Sequence, residues 1–175
     1  MVQTIWLTLF VVLIVALAAA LFALYYMGRD PKGDGRDAYE EYARPDYTDK
    51  AGFYLDSIPE NDILSPIRYW LVNETIAEIE YLVVPDHQAF LRVAETGQLA
   101  VPTDYQEENY ESQSVFVVEG TTATLQQTTG RKNLLTWTRD EFDFALYGDF
   151  PEMNLFSGIS NEFIPNAHAK KSTGR

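Results

Sequence analysis

Apolar and polar residues follow two different regimes along this chain. From Ile5 to Met27 the sequence reads IWLTLFVVLIVALAAALFALYYM, with Thr8 the only polar member. As a helix, this run is about 34 Å long at ~1.5 Å per residue, enough to cross a bilayer core of about 30 Å with some tilt. Trp6, Tyr25 and Tyr26 stand at its ends, where amphipathic rings favour the interface. No Lys or Arg precedes the run, and it is longer than the signal-peptide apolar region of about 7–15 residues. Residues 1–28 are therefore expected to be an uncleaved transmembrane anchor, meeting the lipid bilayer through residues 5–27.

Beyond residue 51 the period changes to two, the signature of half-buried strands. In AEIEYLVV, Ala77, Ile79, Tyr81 and Val83 alternate with Glu78, Glu80 and Leu82. IRYWLVN (67–73), QAFLRVAE (88–95), SVFVVE (114–119), TATLQQT (122–128), NLLTWT (133–138) and FDFALY (142–147) read the same way. The short spacers between successive runs predict antiparallel neighbours in a meander. After Pro151 the period becomes helical: Met153, Phe156, Ile159 and Phe163 recur every three or four residues and form one apolar stripe. The expected architecture is α+β, a curved antiparallel sheet covered by this C-terminal helix and preceded by the transmembrane helix. The chain divides into an anchor (1–28), a flexible Gly/Asp/Pro-rich spacer (29–50), the sheet-plus-helix domain (51–164) and a disordered basic tail (165–175). Within the spacer, DAYEEYA (37–43) suits a short helical turn ended by Pro45.

Every charged residue lies beyond the anchor, so the segment from Arg29 onward carries the whole net charge of −13. That charge repels nucleic acid and anionic lipid and leaves basic proteins, cations or neutral ligands as the expected partners, a basic protein among them. The chain has no Cys, which removes disulfide, thiolate and Cys-based zinc chemistry. Neither His87 nor His168 has a partner at metal-ligand spacing, and no nucleophile elbow or phosphate loop is present. No catalytic residue, metal or cofactor is assigned, and no enzymatic role is expected. Glu78 and Glu80 read as the solvated face of a half-buried sheet. Residues 96–113 have no periodicity, but Asp104, Glu107, Glu108 and Glu111 are interleaved with Tyr105 and Tyr110. Aromatic and acidic residues on a loop suit contact with a basic partner, so these six are the candidate binding residues.

Several segments also resemble a family. They are AGF (51–53), IAEIEY (76–81), the strand holding Arg92, the loop with Asp104, Tyr105 and Tyr110, VEGTTATLQQTTG, and above all NLLTWTRDEFDFAL (133–146). Their order and spacing resemble the uncharacterised domain behind single membrane anchors or lipoprotein signals in Gram-positive bacteria, including anti-sigma-factor-like and sporulation-linked proteins. In the loop, Thr103 stands where that family often has Gly. The resemblance implies an exported domain, similar in outline to half-barrels that bind lipid tails or sense envelope state. It brings no catalytic residues. It conflicts with the charge rule, because Arg29, Lys32, Arg36 and Arg44 all follow the anchor and would keep the domain cytoplasmic. The reading adopted is a single-pass, extracytoplasmic, non-enzymatic interaction or envelope-sensing domain. The alternative is a half-barrel carrier for an apolar ligand such as an acyl chain.

Overall fold

The computed structural model describes residues 37–84, 86–106, 108–129, 131–150 and 153–172. The apolar run 5–27 and the first part of the spacer lie outside the described residues. Among those described, no helix is long and apolar enough to cross a membrane.

Seven alternating segments form strands as their period demands: β4 (Leu64–Val72), β5 (Ile76–Val83), β6 (His87–Glu95), β7 (Ser112–Val118), β8 (Thr121–Gln127), β9 (Lys132–Arg139) and β10 (Phe142–Asp149). With β1 (Tyr39–Tyr42) they make an eight-stranded antiparallel sheet in the order β1-β4-β5-β6-β10-β9-β8-β7. The sheet is two meanders rather than one. β10 pairs with β6 at its centre, so the connection 96–111 must carry the chain from β6 to the far edge before β7 begins. A second, three-stranded sheet runs β11-β3-β2, from β2 (Asp46–Tyr47), β3 (Phe53–Ser57) and β11 (His168–Lys171). Among the described residues two helices complete the domain, α1 (Thr103–Gln106) and α2 (Met153–Asn166).

Both ends of the domain differ from the sequence reading. Residues 39–42 are a strand, not a helical turn, because Tyr39 and Tyr42 pair with Val72 and Tyr69 on β4. Tyr47 is fully buried against Tyr42 and Phe53, which ties the end of the expected spacer into the core. The tail segment 168–171 is likewise ordered, because β3 supplies the backbone partners that its polar side chains do not advertise.

The first face of the large sheet holds Ile79, Tyr81, Leu91, Val93, Phe144, Leu146, Leu135 and Trp137, all buried in the main core. Helix α2 and the small sheet close this face. Phe156, Ile159 and Phe163 are buried there, with Phe163 edge-on to Tyr81 at 4.9 Å and Phe156 against Phe150 at 5.2 Å. Phe53 of β3 meets Phe142 of β10 at 5.2 Å. Arg139 donates to the carbonyl of Pro165 (3.1 Å) and to Thr121 Oγ1 (3.1 Å), placing a cation at the C-terminal end of α2 where the helix dipole favours one.

Candidate interaction surface

Side chains alternate across a strand, so Glu78, Glu80, Arg92, Phe90, Ala145, Tyr147 and Leu134 share the second face. Half of this face is also covered. The reading of Glu78 and Glu80 as a solvated face is corrected: they are 1% and 2% exposed, and Arg92 is 1% exposed. Buried charges need partners, and these have them. Arg92 Nε donates to Glu78 Oε2 at 2.5 Å, and Tyr147 donates its hydroxyl to the same oxygen at 2.6 Å. Arg68 Nε lies 2.8 Å from Glu80, which also accepts from Gln88 Nε2 at 3.0 Å. The remaining Arg92 donors reach the Ala100 carbonyl (2.8 Å), the Tyr39 hydroxyl (2.8 Å) and Asp37 (3.2 Å). One guanidinium thus binds the N-terminal strand, the β5 carboxylate and the β6–β7 connection together. Burial, and then the Glu78 charge, raise the Tyr147 hydroxyl well above its usual pKa, and the same causes push Tyr39 up to about 12.

The β6–β7 connection is the lid over this network. Gly97 N–H donates to Asp143 (2.8 Å), which also accepts from Thr138 Oγ1 (2.7 Å). Tyr105, on α1, packs its ring 4.8 Å from Tyr147 and donates its hydroxyl to Asp149 at 2.7 Å. Tyr110 donates to the Tyr105 carbonyl at 3.0 Å. Lys132 bonds the Asp104 carbonyl at 3.0 Å and lies 3.1 Å from the Glu108 carboxylate. Glu111 accepts from the amide and hydroxyl of Thr129 at 3.2 and 3.0 Å. Of the six candidate residues, then, Tyr105 and Tyr110 turn inwards as cover. Glu108 and Glu111 make contacts within the chain, and Asp104 engages Lys132 through its backbone. Glu107 lies outside the described residues.

The cover stops at Leu99. Beyond it the second face opens into a trough of about 860 Å³, lined by Leu99, Thr122, Thr124, Thr136 and Thr138 with Asp143 at its side. The register sets Thr124 across from Thr136 on one side and from Val115 on the other, and Val117 across from Thr122. Val115 and Val117 are 62% and 64% exposed, the most exposed large apolar residues described. Periodicity places SVFVVE and TATLQQT as strands, but which stretch of sheet a non-periodic lid leaves bare has no signal in it. The open half is a floor of threonine hydroxyls beside an apolar rim, at the sheet edge. Such a surface can exclude water and exchange hydrogen bonds with a docked chain. Among the described residues no group of three or more metal-ligating side chains comes together. No family model, curated protein or solved structure matches the chain.

Proposed function

We propose that this chain is a single-pass, membrane-tethered, non-enzymatic interaction domain that docks a partner protein on the open half of its second sheet face. In this reading residues 5–27 cross the bilayer, the domain lies outside the cytoplasm, and the sheet is the curved half-barrel that the family resemblance implies. The observation that carries it is the exposed pair Val115 and Val117, on a strand without charge, in a chain of net charge −13. Isolated exposed valines are ordinary, but two on an edge strand beside four aligned threonines make a continuous patch of the kind that marks a docking site. The carrier alternative is not favoured, since Phe156, Ile159 and Phe163 occupy the space between helix and sheet that an acyl chain would need.

Two measurements test the proposal. Washed with alkaline carbonate, membranes from cells making the full-length chain should retain it, and release into the wash would remove the tether. A photo-reactive side chain at Val117 or Thr124 should give a discrete protein adduct in those membranes, and one at the exposed Ile63 should not. Indistinguishable adducts from all three positions would refute the assignment of the surface.

A further inference from the structure

The open half ends in an edge. β7 stands last in the sheet order, with β8 on one side and, among the described residues, no strand on the other. The β7–β8 turn is Glu119-Gly120, with φ of 48° and 81°, as a two-residue primed hairpin requires. In such a hairpin the closing pair, here Val118 and Thr121, exchanges both backbone hydrogen bonds, and alternate residues follow suit. The amides and carbonyls of Gln113, Val115 and Val117 therefore point away from β8, into the space where a further strand would lie.

Sheet edges are ordinarily shielded by charge, proline, a bulge or brevity. β7 has none of these. It is seven residues long, contains no charged residue and no Pro, and keeps an unbroken register with β8. The opposite edge is shielded: β1 has four residues, and two of them are Glu40 and Glu41. The charges of β7 lie just outside it, at Glu111 and Glu119, eight positions apart. Across an extended chain that is about 27 Å at ~3.4 Å per residue. Both side chains belong to exposed residues.

We infer that β7 accepts an extended segment of another protein as an added strand, and that this segment has an uncharged, β-branched centre flanked at both ends by Lys or Arg. Backbone hydrogen bonds to Gln113, Val115 and Val117 supply the pairing, Val115 and Val117 supply the apolar contact, and Glu111 and Glu119 select basic flanks. A second copy of the chain is a poorer occupant. Two β7 strands paired about Val115 would set Glu111 of one copy opposite Glu119 of the other, between two domains of the same strong charge. The inference rests on the interaction reading above and adds the mode of docking and the partner's chemistry.

The test uses the full-length chain in detergent and a fluorescent nine-residue probe, Lys-Thr-Val-Thr-Val-Thr-Val-Thr-Lys, followed by anisotropy. Saturable binding is expected, weakened about tenfold at low salt when both ends become Glu. N-methylation of alternate probe residues, in the phase that removes the donors facing β7, should abolish it. Val115→Pro should abolish it too: the lost amide points outwards, so the β7–β8 ladder is spared. Its thermal unfolding should match the parent's. No binding, equal binding of the Lys- and Glu-ended probes, or binding indifferent to N-methylation at every phase would overturn the inference. Dimerisation of the chain without probe binding would overturn it in favour of a second copy. If the probe fails while Val117 and Thr124 still give their adduct in membranes, strand addition falls and the interaction reading stands. If both fail, both readings fall.

Discussion

Replacing Arg92 by Met removes the group on which the covered half of the second face converges. The guanidinium is 1% exposed and bonds Glu78, the Ala100 carbonyl, Tyr39 and Asp37. The hydrogen bonds to Asp37 and Ala100 lie nearer the surface, and water replaces much of what is lost there. The decisive cost is at Glu78, also 1% exposed, whose charge keeps only the Tyr147 hydroxyl. Removing one partner of a buried ion pair costs about 3–5 kcal/mol, against a total stability of about 5–15 kcal/mol for an ordinary domain. Arg92→Met is therefore expected to lower the unfolding midpoint by on the order of 10 °C. The double variant Arg92→Met with Glu78→Met removes the stranded charge as well, and should recover at least about 2 kcal/mol of the loss. Urea unfolding of the full-length chain in detergent, followed by the fluorescence of Trp70 and Trp137, measures Arg92→Met, Glu78→Met and the double variant. Losses of under about 1 kcal/mol for Arg92→Met, or additive losses in the double variant, would refute the assignment of Arg92 and Glu78 as a mutually dependent pair.

Other consequences follow from single groups. Tyr147 donates to a buried carboxylate, whereas the buried hydroxyl of Tyr81 has no hydrogen-bond partner among the described residues. Tyr147→Phe should cost about 1.5–3 kcal/mol in urea unfolding, while Tyr81→Phe should be neutral or stabilising. At Gly148 an added Cβ would meet the Gln88 carbonyl at 2.7 Å and the Phe150 ring at 2.5 Å. Gly148→Ala should lower stability by about 1–3 kcal/mol through overpacking, read by the same assay. Burial raises the Tyr39, Tyr81 and Tyr147 hydroxyls above their ordinary value of 10.0 in the folded chain. Above that pH the unfolded chain gives up protons that the folded chain keeps, so stability is full below about pH 10 and falls as pH rises past it. Urea midpoints taken from pH 8 to 12 should show this fall, and a flat profile would contradict the burial of these rings.

The main sheet was legible because Ala77, Ile79 and Tyr81, or Phe142, Phe144 and Leu146, repeat at the period a pleated strand imposes. The helix was legible from Phe156, Ile159 and Phe163. What failed was local. β1 and β11 carry Glu40, Glu41, Lys170 and Lys171, and their strand character comes from the partners that pair with them, not from their own pattern. Glu78 and Glu80 read as solvated because their cover, residues 96–111, has no period. A signal against that reading was present: Ala145, Tyr147 and Leu134 make the second parity of β9 and β10 apolar too, as expected for strands buried on both faces. Tyr105 and Tyr110 are conspicuous on a non-periodic loop, but aromatic residues serve as lids as readily as docking groups, and here they pack inwards. The open half was not legible, because the extent of a lid is a property of tertiary packing.

The docking surface is tested most directly by hydrogen exchange at the edge of β7. In the purified chain the outward amides of Gln113, Val115 and Val117 should exchange fast, and those of Ser114 and Phe116, bonded to β8, slowly. In membranes that hold the partner, the three outward amides should slow by at least about tenfold while β4 and β5 do not change. Equal exchange of those three amides in both settings, with a partner demonstrably bound elsewhere on the domain, would contradict the account.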